Sequence, residues 1–180
     1  MTERAPLAMR LRHGAHLVWR FLGSLPPWGP SPAAERLVRA RLEPAEWDLW
    51  RTLSGPDRRH ALGVARRAGA AGAGPDGVAA ALLHDVGKLE SGLGTGGRVI
   101  ATLVGLGLGH RRAVTTLTTK GGFPGRCGRY LDHARLGGEL LRRAGARPLD
   151  TAWAREHHDP PGAGSVPADL ARVLRAADGD

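Results

Sequence analysis

The chain has 180 residues, of which 42% are hydrophobic and 24% charged, a composition that fits one globular domain and excludes a disordered chain or a membrane-spanning bundle. Its single cysteine, Cys127, excludes an internal disulfide and any thiolate-based zinc site. The formal net charge is +9, yet all but two of the 26 basic residues are arginine in an Ala- and Gly-rich chain. That bias reads as a GC-rich genome rather than a binding patch, and no nucleic-acid signature or set of stacking aromatics accompanies it. No specific nucleic-acid partner is expected.

The first element is an amphipathic helix over residues 7 to 25. Leu7, Leu11, Ala15, Val18 and Leu22 recur at helical spacing, with Arg10, Arg12 and Arg20 elsewhere. Docking on the domain is favoured over contact with a membrane surface, because apolar stripes ordinarily face cores. The segment has arginines on both sides of short apolar stretches and no clean cleavage site, so it reads as uncleaved and the chain as cytoplasmic. No apolar run approaches the roughly 20 residues of a spanning helix. "SLPPWGPSP" is a proline-rich connector, which divides the chain into residues 1–32 and a domain over 33–180.

Short helices follow one another through the domain. "PAAERLVRARL" starts at Pro32, and "EPAEWDLWRTL" has Pro44 in its first turn. "SGPDRRHALGVARRA" offers Ser54 or Asp57 as a cap. "GPDGVAAALLHDVGK" starts at Pro75 and Asp76 and stops at Gly87. "KLESGLGTGG" is expected to form a substrate-facing loop, and "GGRVIATLVGLGLG" a buried helix weakened by glycine. "YLDHARLGGELLRRAGA" reads as one amphipathic helix ended by Gly145, "LDTAWAREHHDP" as a helix stopped by Pro160, and "SVPADLARVLRAADGD" as a last helix capped near Ser165. No alternating β-branched run of useful length is present. The fold class is all-α.

Residues capable of chemistry recur at helix ends and inner faces on this layout. They are His60, His84 with Asp85, His133, His157 with His158, and Asp178. Each has an ordinary explanation taken singly, since histidine near a helix C-terminus is favoured by the helix dipole. Together they supply five histidines and two aspartates from five separate helices to one cleft. Lys88, one of only two lysines, lies beside His84 and Asp85. It is placed either to meet a substrate phosphate as a compact charge or to complement a helix C-terminus.

The order His, His-Asp, His, His-His, Asp resembles that of the HD-domain superfamily of metal-dependent phosphohydrolases. The resemblance covers roughly residues 54 to 178 and includes "HDVGK", "DHARLGGELL" and "EHHDP". It implies an HD-domain helical bundle, here with an extra N-terminal helix, and is closest to the two-metal phosphodiesterase branch. On that resemblance His60, His84, Asp85 and Asp178 would hold one ion, and His133, His157 and His158 a second, with Asp85 bridging both through its two oxygens. Seven nitrogen and oxygen ligands without thiolate suit two divalent transition-metal ions among Mn, Fe, Co, Ni and Zn. Such a pair can acidify a bridging water and clamp an in-line phosphoryl displacement. Asp85 and Lys88 are the expected catalytic residues, and the substrate a phosphate ester such as a nucleotide. A catalytically weak metal-binding regulatory or scaffold domain is the alternative.

Overall fold

A computed structural model describes residues 27–179; the expected N-terminal helix over residues 7 to 25 and the first three residues of its connector lie outside the described residues. Ten α-helices and one 3-10 turn follow in order, with no strand among the described residues. The all-α class is observed.

The first three helices start where local chemistry sets them. Ser31 caps α1 (Pro32–Arg39) by accepting from the Ala34 amide, and a Glu43–Glu46 capping box opens α2 (Pro44–Thr52). Ser54, rather than Asp57, is the N-cap of α3 (Gly55–Ala70). Gly55 is needed there because a Cβ would lie 2.3 Å from the Pro27 carbonyl oxygen. The next helix, α4 (Gly74–Leu83), is packed on every side: Ala79, Ala80, Ala81 and Leu83 are all fully buried.

Helix α4 stops at Leu83, four residues short of the expected stop at Gly87. His84 is its C-cap, and Val86–Ser91 is a 3-10 turn. The expected substrate-facing loop over 88–97 is therefore mostly this turn and the start of α5 (Thr95–Leu108). The buried-helix expectation for that segment is also corrected, since only Ala101 and Gly105 of α5 are buried. Its glycines and alanine let one side lie close to α7, whereas its larger aliphatic residues face outward.

Helices α6 (His110–Leu117) and α7 (Gly122–Leu131) fill a stretch for which no element was expected. The helix expected from Tyr130 is instead two, because the backbone breaks at Asp132 between α7 and α8 (His133–Arg143). Helix α9 (Pro148–Glu156) follows, and α10 (Ala168–Asp178) completes the chain. Ser165 does not cap α10, whose N-cap is Pro167. Its hydroxyl donates to Glu156, and the Glu156 carboxylate also accepts from the Ser165 and Val166 amides.

Trp50, Val64, Leu82, Leu83, Leu141, Trp153 and Leu174 form the main core around α4. Leu93, Ala101 and Cys127 form a smaller one beneath α5 and α7. The two are tied at defined points. Arg98 of α5 makes a bidentate pair with Asp57 of α3 at 2.6 and 2.8 Å. From α7, Arg126 donates to Ser91 O and Gly92 O, and Arg129 to Glu90 O. These arginines fix the 3-10 turn.

Candidate metal centre

All seven histidines and aspartates singled out in the sequence come together at the junction of α3, α4, α8, α9 and α10. His60 projects from the second turn of α3, and His84 and Asp85 sit where α4 gives way to the 3-10 turn. His133 is the first residue of α8, His157 and His158 end α9, and Asp178 is the last residue of α10. Helix ends allow this convergence, because their side chains can point inward without displacing a turn of helix.

Two groups are resolved within the cluster. The ligand-capable atoms of His60, His84 and Asp178 all lie within 4.8 Å of one another, and so do those of His133, His157 and His158. His60 Nε2 is 2.9 Å from Asp178 Oδ1. Asp85 stands between the groups: its Oδ2 is 3.4 Å from His84 Nε2 and 3.7 Å from His60 Nε2, while its Oδ1 is 3.4 Å from His133 Nε2. One carboxylate therefore offers a different oxygen to each group.

The imidazoles are oriented by the backbone. Nδ1 of His84, His133 and His157 lies 2.8 to 2.9 Å from the carbonyl oxygen three residues earlier, of Ala81, Tyr130 and Ala154 respectively. A carbonyl can only accept, so the proton is on Nδ1 and Nε2 faces the centre. His84 Nε2 and His157 Nε2 are buried without a hydrogen-bond partner. Nε2 of His133 and Nε2 of His158 are 3.3 Å apart, close to the roughly 3 to 3.4 Å between two nitrogens that share one ion at about 2.1 Å each.

Burial pushes the His133 imidazole down to about 3, assisted by the Lys88 charge. Burial also pushes His157 down, with neighbouring histidines adding to it. Burial likewise lowers His60, against the pull of Asp178. These three rings are neutral and available as donors. His84 behaves oppositely: burial pushes it down, but the adjacent Asp85 and Asp178 carboxylates win and raise it to about 9. Burial disfavours the Asp85 carboxylate, yet Lys88 and His84 hold it well below its usual range. Two buried carboxylates thus gather positive charge, and the residues present fit a divalent cation.

Lys88 is itself buried, with its Nζ on Asp85 Oδ2. The 3-10 turn brings it there by placing it three residues after Asp85. In this arrangement its ammonium faces the Asp85 carboxylate. His158 is exposed and His60 partly so, and the centre meets solvent along their edge.

Supporting residues were not singled out in the sequence. Asp57 and Arg98 are 41 positions apart, and nothing local marks them as partners. Tyr130 supplies the carbonyl that orients His133 and stacks its ring on the same imidazole, with centroids 5.9 Å apart. Glu156 carries a weak signal, as an acid directly before His157.

No protein-family model matches the chain, and neither curated proteins nor solved structures give a match.

Proposed function

We propose that the chain is a metal-dependent phosphohydrolase of the HD-domain type, holding two divalent transition-metal ions and acting on a phosphate ester such as a nucleotide. The observation that carries this reading is the pair of three-residue donor groups with Asp85 offering one oxygen to each. A purely structural cluster has no need for a buried imidazole nitrogen such as His157 Nε2, which has no hydrogen-bond partner.

Held by His60, His84, Asp85 and Asp178 and by His133, His157 and His158, two ions would supply Lewis-acid polarisation of the ester and acidify an adjacent water. The protein's part is to hold neutral imidazoles in fixed orientation and to balance charge through Asp85 and Asp178. Lys88, whose ammonium lies on Asp85, is the residue that would neutralise a substrate phosphate with metal bound at the centre. The solvent edge at His60 and His158 is the side from which an ester enters.

The test is metal analysis of the purified chain joined to turnover of a generic phosphodiester and a panel of nucleotides, cyclic dinucleotides and sugar phosphates. Turnover that depends on added Mn²⁺, or on another of the candidate ions, supports the reading. Metal binding without turnover across the panel moves the assignment to a regulatory or scaffold domain. A chain that binds no metal overturns both, leaving Lys88 as the permanent counter-charge of Asp85.

A further inference from the structure

Helix α5 carries an apolar face that nothing among the described residues covers. Val99, Ile100, Leu103 and Leu106 share one side of the helix by their spacing, away from the buried Ala101 and Gly105. Leu103 and Leu106 are 62% and 71% exposed. Leu108 at the helix end and Phe123 at the start of α7 are exposed as well. An apolar row of this kind on a protein surface marks an interaction site.

The charge pattern around the face selects its partner. From residue 91 to residue 131 the chain contains no Asp or Glu, while it contains Arg98, Arg111, Arg112, Lys120, Arg126 and Arg129. Arg98 is engaged by Asp57, and Arg126 and Arg129 by carbonyls of the 3-10 turn. Arg111 and Arg112, in the first turn of α6, and Lys120 just after that helix are exposed. None of these three has an acidic partner among the described residues. Helix α6 packs on α5, so cations without an acidic partner among the described residues lie on and just after the helix next to the one that carries the aliphatic row.

We infer that α5 and the adjoining α6 form a docking face for an anionic lipid surface. The leucines enter the boundary between headgroups and acyl chains, and Arg111, Arg112 and Lys120 meet lipid phosphates. Other occupants fit less well. Residues 1–26 carry four arginines against one glutamate and would add positive charge to positive charge, as would the same face of a second copy. Nucleic acid would satisfy the cations and leave the leucines in water.

The experiment is cosedimentation of the full chain with vesicles of phosphatidylglycerol and phosphatidylcholine, compared with pure phosphatidylcholine. Binding is expected on the anionic vesicles only and is expected to weaken with salt. Leu103→Ser combined with Leu106→Ser should weaken it by about tenfold or more, and Arg111→Gln with Arg112→Gln should weaken it too. Both leucines face solvent, so an unchanged melting temperature verifies that the variant is folded. Leu11→Ser with Val18→Ser, in the N-terminal segment, should leave binding intact. The inference is overturned by equal binding to neutral vesicles, by indifference to the leucine pair, or by loss only in the N-terminal variant. A leucine variant that turns a dimer into a monomer, with no vesicle binding by the parent, overturns it in favour of a second copy.

Discussion

Asp85 and His158 make different contributions to the proposed centre, and replacing each with alanine separates them. Asp85→Ala removes a side chain that faces both groups, so metal per chain should fall from about two to less than one, with turnover lost. His158→Ala removes one imidazole at the exposed edge and should leave about one ion. A parent chain that holds a single ion with all seven residues intact would sink the two-ion reading. Gly87 is a second pressure point: a Cβ there would lie 1.9 Å from the His133 carbonyl oxygen and 2.5 Å from the Gly137 amide nitrogen. Backbone cannot yield as a flexible side chain does, so Gly87→Ala should cost about 1–3 kcal/mol or more in urea unfolding and weaken metal binding by shifting the turn that carries Lys88. The ligand types were legible in the sequence because His and Asp at successive helix ends are visible as letters. The contact of Lys88 with Asp85 and the pairing of Asp57 with Arg98 were not, since the first depends on a 3-10 turn and the second on how α5 packs.

Helix α2 is joined to the start of α9 by a buried polar knot. Glu46 accepts from the Arg147 amide and guanidinium, and Arg147 also donates to Asp150 at 2.9 Å. Burial pushes the Asp150 carboxyl up, with the neighbouring Glu46 adding to it against Arg147, to about 7. The unfolded chain releases that proton near the ordinary value of 3.8. Between about pH 4 and pH 7 the folded chain therefore holds a proton that the unfolded chain has lost, and stability falls as pH rises through that window. Glu46 is held below its ordinary 4.5, so its opposite contribution lies in the more acid range. Asp150→Asn should flatten the fall between pH 5 and pH 7, raising the melting temperature at pH 7 relative to the parent by a few degrees; an unchanged pH slope would refute the assignment. At this scale the sequence marked the first three helix starts through Pro32, Pro44 and Ser54. It gave no warning of α6 and α7, whose glycines and threonines interrupt helical periodicity. It misjudged the burial of α5 because apolar letters do not say which side of a helix finds a partner.

The donors of the centre come from α3, the end of α4, α8, the end of α9 and α10, so the unfolded chain has no such site. An ion that binds only the folded chain stabilises all of it, by about 2.7 kcal/mol at 100 times its dissociation constant. Melting in the presence of the preferred ion should then rise by roughly 5 to 10 °C in one transition and return with a chelator. Binding with no change in melting would place the ions elsewhere. The closed surroundings of α4 have a consequence for drift in the sequence itself. Three consecutive alanines point in three directions around a helix, and all three are fully enclosed at Ala79, Ala80 and Ala81. Every replacement except glycine adds atoms to a filled space, costing about 1–3 kcal/mol, and glycine costs about 1 kcal/mol in helix propensity. No single step at these positions is neutral, and change there has to wait for an earlier, enlarging change in the helices around it.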